Sequence, residues 1–196
     1  MIISINPDNP QQRLINMVCE ALDKGGLIAY PTDTFYGMGC DLYNKKGIQR
    51  IYQLKNRPLK QPFSIICDSL KGISQYAKVS DFAYKTMKRL LPGPYTFILE
   101  GTKLVPQIML TKRKTVGIRV PANNICLAIV ETLGRPIITT SAIHEDPYTI
   151  KEAYESSLEM IIDGGALKPE PSSVISLIDD YPEVIREGKG DVSSFR

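Results

Sequence analysis

Short apolar runs that stop at a proline, a glycine or a charged residue alternate with stretches of helical periodicity along this whole chain, and no other feature narrows its fold so much. Leu27-Ile28-Ala29-Tyr30 ends at Pro31, and Phe63 to Cys67, Tyr95 to Leu99, Val116 to Val120, Pro136 to Thr140, Val174 to Leu177 and Glu183 to Arg186 are further strand candidates. Between them lie helical patterns. Asn9-Pro10 offers an N-cap and a first-turn proline, Leu14, Ile15, Val18 and Leu22 follow at helical spacing, and Gly25-Gly26 stops the run. A second helix is predicted from about Asn44 to Asn56. A third is capped by Ser80-Asp81, carries Phe82, Met87, Leu90 and Leu91, and is broken at Pro92-Gly93-Pro94; a fourth runs from about Asn124 to Leu133. The segment from His144 to Pro171 is the least regular, with one helix expected from Lys151 to Leu158. Several successive strands have no helix between them, and a parallel pair needs a crossover, so the expectation is an α/β fold with a mixed sheet.

At 196 residues the chain fits one domain. With 43% apolar and 23% charged residues and a mean hydropathy of −0.11, it can bury a full core, which excludes disordered, collagenous and membrane-spanning classes. The N-terminus lacks a basic segment followed by an apolar stretch, and a cytoplasmic location is expected. Cys19, Cys40, Cys67 and Cys126 form no C-x-x-C pair and read as ordinary thiols. The balance of 24 basic against 21 acidic residues is too even for a dedicated nucleic-acid binder. There is one histidine, His144, so histidine-based catalysis and multi-histidine zinc sites have at most one imidazole to use.

No Walker phosphate loop, G-x-G-x-x-G or G-x-S-x-G elbow is present. What remains are cations and hydroxyls at element ends. Lys55 and Arg57 bracket one residue where a helix ends before Pro58, a placement suited to polyphosphate but also to a solvated helix C-terminus. Arg119 lies in an apolar strand, where a buried guanidinium needs a carboxylate or phosphate partner, unless alternation turns it to solvent. Thr139-Thr140-Ser141 offers three hydroxyls without a base. Arg186 leaves a strand into a glycine turn. Lys112-Arg113-Lys114 and the helical trio Lys85, Lys88 and Arg89 fit either a solvated face or RNA contact.

Taken in order, Gly25-Gly-Leu-Ile-Ala-Tyr-Pro-Thr-Asp-Thr-Phe-Tyr-Gly-Met-Gly39, Lys55-Asn-Arg-Pro58, Leu91-Pro-Gly-Pro-Tyr-Thr96, Val116-Gly-Ile-Arg-Val-Pro121, Thr139-Thr-Ser-Ala142, Pro171-Ser-Ser-Val174 and Arg186-Glu-Gly188 resemble the YrdC/YciO family of threonylcarbamoyl-adenylate synthases. The two termini look closest to the YciO branch. The resemblance implies a single YrdC-like domain over residues 1–196, with a core from about 10 to 191, in which a twisted mixed sheet flanked by helices surrounds a concave basic cavity. It implies synthesis of threonylcarbamoyl-AMP from L-threonine, bicarbonate or CO2, and ATP with Mg2+, releasing pyrophosphate, for threonylcarbamoyladenosine in tRNA. Such chemistry needs no histidine, because the threonine amine is the nucleophile and the rest is positioning and charge neutralisation. Carried onto matching positions, Lys55 and Arg57 neutralise ATP phosphates, and Thr115 and Arg186 lie on the nucleotide side. Thr32, Thr34, Arg119, Ser141 and Ser172 hold threonine. No protein side chain is implied as a metal ligand.

Two positions depart from the family pattern. Ile143 stands where an asparagine contacts the nucleotide, and Ile66 where some members place a substrate-contacting histidine. Losing one such contact costs about 1–3 kcal/mol. The alternative is a catalytically attenuated module of the same fold that binds double-stranded RNA, tRNA or a nucleotide, or a small-molecule sensor using the same pocket. A homodimer is left open.

Overall fold

The computed structural model describes residues 1–59, 61–142, 144, 146–154 and 156–195. In chain order the elements are β1 (Ile2–Ser4), α1 (Gln12–Asp23), β2 (Ile28–Tyr30), β3 (Gly37–Gly39), α2 (Lys45–Leu54), β4 (Ser64–Ile66), α3 (Leu70–Tyr76), α4 (Asp81–Leu90), β5 (Tyr95–Glu100), β6 (Thr115–Arg119), α5 (Asn124–Leu133), β7 (Ile137–Ser141), α6 (Pro147–Tyr154), β8 (Met160–Asp163), β9 (Ser173–Ser176) and β10 (Glu183–Arg186). The strands form one mixed sheet in the order β1-β8-β2-β3-β7-β4-β6-β5-β9-β10. Four pairs are parallel (β1 with β8, β2 with β8, β4 with β6, β5 with β9) and the other five antiparallel, in keeping with the missing crossovers.

Local signals explain most boundaries. Two helices end in the same device. After α1, Gly25 takes a φ of +87° while its N–H and that of Gly26 bond back to the Leu22 and Ala21 carbonyls; after α2, Asn56 takes a φ of 44° while its N–H and that of Arg57 bond to Gln53 and Tyr52. Ser80 and Asn123 cap α4 and α5 through their side chains.

Other expectations are corrected. The first helix is capped at Gln11, because the Asn6 side chain draws in the Asp8 and Asn9 N–H groups and keeps Asn9 in a turn. The stretch after Pro31 is a loop only as far as Tyr36; Gly37–Gly39 then returns as β3, antiparallel to β2. The late helix begins at Pro147, where the Asp146 side chain accepts the Tyr148 and Thr149 N–H groups, and ends at Tyr154, well before Leu158. β1, α3 and β8 were not foreseen. β8 lies in the stretch that reads as least regular, and β1 extends the sheet back to Ile2, ahead of residue 10. No described helix is long and apolar enough to cross a membrane.

Alternation divides each strand between two apolar layers. Ala29, Met38, Ile65, Ile118, Ile138 and Ile161 pack with Ile48, Ile51, Ile73 and Met87 from α2, α3 and α4. On the other face Ile28, Tyr30, Ile66, Ile137 and Ile162 pack under α1 and α5. That second layer is incomplete. Ile66, beside Ile137, is covered by it, whereas Ser64, next along the same face and paired with Gly117 and Thr139, is not. The uncovered part of the sheet is where the cavity lies.

Candidate functional site

A cavity of about 710 Å³ occupies this open face, within the range of about 300–1,000 Å³ usual for small-molecule sites. Its floor shows the two-residue period of strands: Ser64 from β4, Thr96 and Ile98 from β5, Thr115, Gly117 and Arg119 from β6, and Thr139 and Ser141 from β7. Gly117 keeps the floor low. A Cβ there would lie 2.7 Å from Ser64 Oγ and 3.2 Å from Thr96 Cγ2. Ser172, Val174 and Arg186 wall one side, and Lys55 to Pro58 the other.

The left-handed Asn56 turns the chain at the end of α2 so that Lys55 and Arg57 both line the cavity. The Arg57 guanidinium lies 5.0 Å from the Phe63 ring and Nη2 donates to the Pro62 carbonyl at 3.2 Å, while Nε is buried without a partner. Lys55 Nζ is 5.9 Å from the Tyr154 ring; burial, and then the neighbouring Arg57 charge, hold its pKa below the ordinary lysine value. Opposite, Arg186 donates to the Ser172 carbonyl through Nε at 3.1 Å and Nη2 at 2.8 Å, and Nη2 also reaches Ser172 Oγ at 3.2 Å. Burial, then the Arg119 charge, lowers its pKa. Ser172 Oγ in turn meets Thr96 Oγ1 at 2.9 Å, and Thr115 Oγ1 meets Thr111 Oγ1 at 2.6 Å.

Arg119 is different. Its side chain is 9% exposed, and Nη2 donates to Asp33 Oδ1 at 2.7 Å and to Thr34 Oγ1 at 3.0 Å. Thr34 is fixed by Thr32, whose hydroxyl lies 3.1 Å from that of Thr34 and donates to the Phe35 carbonyl at 2.5 Å.

Of the nine residues singled out from the sequence, Lys55, Arg57, Thr115, Arg119, Ser141, Ser172 and Arg186 line one cavity. Thr32 and Thr34 are not on its wall; both are buried in the β2 to β3 turn behind Arg119. Ile66 points into the α1 and α5 layer, so the position of the expected histidine is core here. Ile143 lies outside the described residues. His144 packs edge-on against Tyr154, with ring centroids 5.8 Å apart, and is not on the cavity wall. Sequence reasoning gave no role to Ser64, Thr96, Gly117 or Asp33. Their signal was the two-residue period around Arg119 and an aspartate between two threonines.

All four cysteines are buried and unpaired, and burial raises their pKa values, that of Cys19 to about 11, which keeps them thiols. Among the described residues no group of three or more His, Cys, Asp or Glu side chains is arranged to hold a metal ion. Among the described residues the lining contains no carboxylate. Cations and hydroxyls around a sheet face suit anion recognition and offer no nucleophile with an adjacent base.

These features define an α/β protein with a cavity lined by cations and hydroxyls on a half-covered sheet. The Sua5/YciO/YrdC model, described as telomere recombination, matches residues 20–188, and the chain belongs to that family. It is 46% identical over 199 residues to the uncharacterized protein YciO of Escherichia coli K12, with 97% of each chain covered, and the crystal structure of E. coli YciO superposes with a TM-score of 0.96 at 45% identity, covering 100% of this chain and 99% of that one. A threonylcarbamoyl-AMP synthase of Pyrococcus abyssi is 32% identical over 182 residues, 89% of this chain and 54% of the relative. The crystal structure of P. abyssi Sua5 complexed with L-threonine has a TM-score of 0.88 at 30% identity, covering 96% of this chain and 57% of that one.

Proposed function

We propose that this chain is a threonylcarbamoyl-AMP synthase that uses L-threonine, CO2 or bicarbonate, and ATP, and that its product supplies tRNA threonylcarbamoyladenosine. One observation carries the reading: Lys55, Arg57, Arg119 and Arg186 converge on a single cavity whose lining, among the described residues, has hydroxyls and no carboxylate. The likeness to a Sua5 complexed with L-threonine and to a named synthase supports the choice of substrates.

The reaction needs two bonds to form. The deprotonated threonine amine adds to CO2, giving a carbamate and a proton. A carbamate oxygen then attacks the α-phosphorus of ATP and pyrophosphate leaves. ATP enters with Mg2+ on its phosphates. The protein's share is placement and charge. Lys55, Arg57 and Arg186 face the triphosphate and the departing pyrophosphate, and none has an ion-pair partner among the described residues that the nucleotide would have to displace. Arg119 takes the threonine carboxylate. Ser141 and Ser172 supply hydrogen bonds to the amino acid, and Thr115 to the nucleotide. Thr32 and Thr34 act one step removed, by holding Arg119.

Purified protein mixed with MgATP, bicarbonate and L-threonine is expected to release pyrophosphate only when threonine is present. Release that is absent, or the same without threonine, overturns the reading. Nucleotide binding without release would instead favour an attenuated binding module, for which the exposed Lys112-Arg113-Lys114 turn between Thr111 and Thr115 at the cavity rim offers a salt-sensitive polyanion contact.

A further inference from the structure

Two arginines among the described residues are paired with aspartates, and they are satisfied to different degrees. Arg135, 30% exposed, spends Nε on Asp41 at 2.5 Å, Nη2 on Asp23 at 2.5 Å and Nη1 on the Leu133 carbonyl at 3.2 Å, so every nitrogen of its guanidinium has a protein partner. Arg119 is more deeply buried, yet Asp33 and Thr34 both engage Nη2, and its Nε is buried with no hydrogen-bond partner. A buried N–H without an acceptor costs about 1–3 kcal/mol. A purely structural ion pair has no reason to carry that cost, whereas a clamp waiting for a planar ligand does.

Asp33 is itself held firmly. Its side chain is 7% exposed; Oδ1 accepts from Arg119, Oδ2 accepts the Ala122 N–H at 2.9 Å, and its backbone carbonyl accepts from Lys189 Nζ at 2.6 Å. Asp33 thus offsets the Arg119 charge through Nη2 alone and leaves Nε without a protein partner. The other cations of the cavity have no such counterion among the described residues. The cavity thus has an end at Arg119 where the arginine charge is paired, with Arg186 within electrostatic reach of it, and an unpaired cationic end at Lys55 and Arg57.

We propose that Asp33 is a positioning and selectivity residue: by fixing and neutralising Arg119 it makes that end accept an amino acid carrying one carboxylate and a net charge of zero, and reject dicarboxylic amino acids and phosphate. This rests on the functional reading above and specifies its amino-acid subsite. A second carboxylate on the ligand would meet the Asp33 carboxylate. A phosphate would find one positive charge already matched.

The experiment is calorimetric titration of the wild type, Asp33→Asn and Asp33→Glu with L-threonine and with L-aspartate, both at fixed MgATP. The wild type is expected to bind threonine at least tenfold more tightly than aspartate. Asp33→Asn should shrink that preference about tenfold or reverse it, and Asp33→Glu should restore it. Equal weakening of both ligands by Asp33→Asn overturns the inference alone. A wild type that binds neither amino acid overturns the functional reading as well. Should Asp33→Asn not fold, competition on the wild type decides: inorganic phosphate at constant ionic strength is expected to displace ATP at least tenfold more effectively than it displaces threonine, and equal competition overturns the proposal.

Discussion

The two ends of the cavity meet the same problem, cations held near a protein interior, with opposite solutions. At Arg119 the charge is matched within the protein by Asp33, inside a turn whose threonines bond to one another, to the Phe35 carbonyl and to Arg119 itself. At Lys55 and Arg57 the charges are left unmatched, and burial and then the Arg57 charge lower the Lys55 pKa. The first arrangement adds to the fold and gives up some affinity for highly charged ligands. The second strains the fold and keeps its affinity for whatever polyanion arrives.

The largest effect expected from breaking this contrast is on the cationic end. Replacing Arg57 by Ala should lower threonine-dependent pyrophosphate release by about 100- to 1,000-fold, as for loss of a preorganised charge facing a transition state, while chemical denaturation shows little change in stability. Arg119→Ala should behave differently. It takes the guanidinium away from the buried Asp33 carboxylate, so denaturation should show a loss of about 3–5 kcal/mol together with loss of threonine binding. If Arg119→Ala proved as stable as the wild type, the supposed difference between the ends would be gone.

A third test reads the strain directly. The Lys55 pKa lies below its value of 10.5 in an unfolded chain, so the native state binds fewer protons between the two values. Lys55 therefore penalises folding most below its native pKa, and the penalty fades as pH rises toward 10.5. Lys55→Met is accordingly expected to melt higher than the wild type at pH 7, with the gap closing on alkaline titration, and to lose the stabilisation that saturating MgATP gives the wild type. The smallest effect concerns the floor. Gly117→Ala places a methyl 2.7 Å from Ser64 Oγ, and a cost of about 1–3 kcal/mol is expected in stability, with KM for substrates rising more than kcat falls.

Much of this was legible in the chain. Apolar runs ending at turn residues marked seven of the ten strands, and caps at Asn44, Ser80 and Asn123 are local chemistry that a few neighbouring residues decide. The missed elements are short and depend on distant partners. β1 and β8 are three and four residues long and exist because they pair with each other and with β2, across more than 100 residues of sequence. The late helix, expected over Lys151 to Leu158, starts instead at the Asp146-Pro147 cap signal. At the site, cations at element ends and threonines after a strand were visible as residue types. Whether they share a surface was not.

The sequence by itself determined an α/β chain with a mixed sheet, its caps and turns, and a set of cations and hydroxyls with no histidine-based catalysis to organise. Only the tertiary structure decided that α1 and α5 cover part of one sheet face and leave Ser64, Gly117 and Thr139 open beside Ile66 and Ile137, which they bury. It also decided that Asp33 meets Arg119 across 86 positions, whereas Lys55 and Arg57 meet no acid among the described residues. The reason is physical. Helix caps and strand alternation are set within a few residues, but electrostatic compensation depends on distance in space, and a residue's charge becomes a clamp or a staple only when the fold decides what stands beside it.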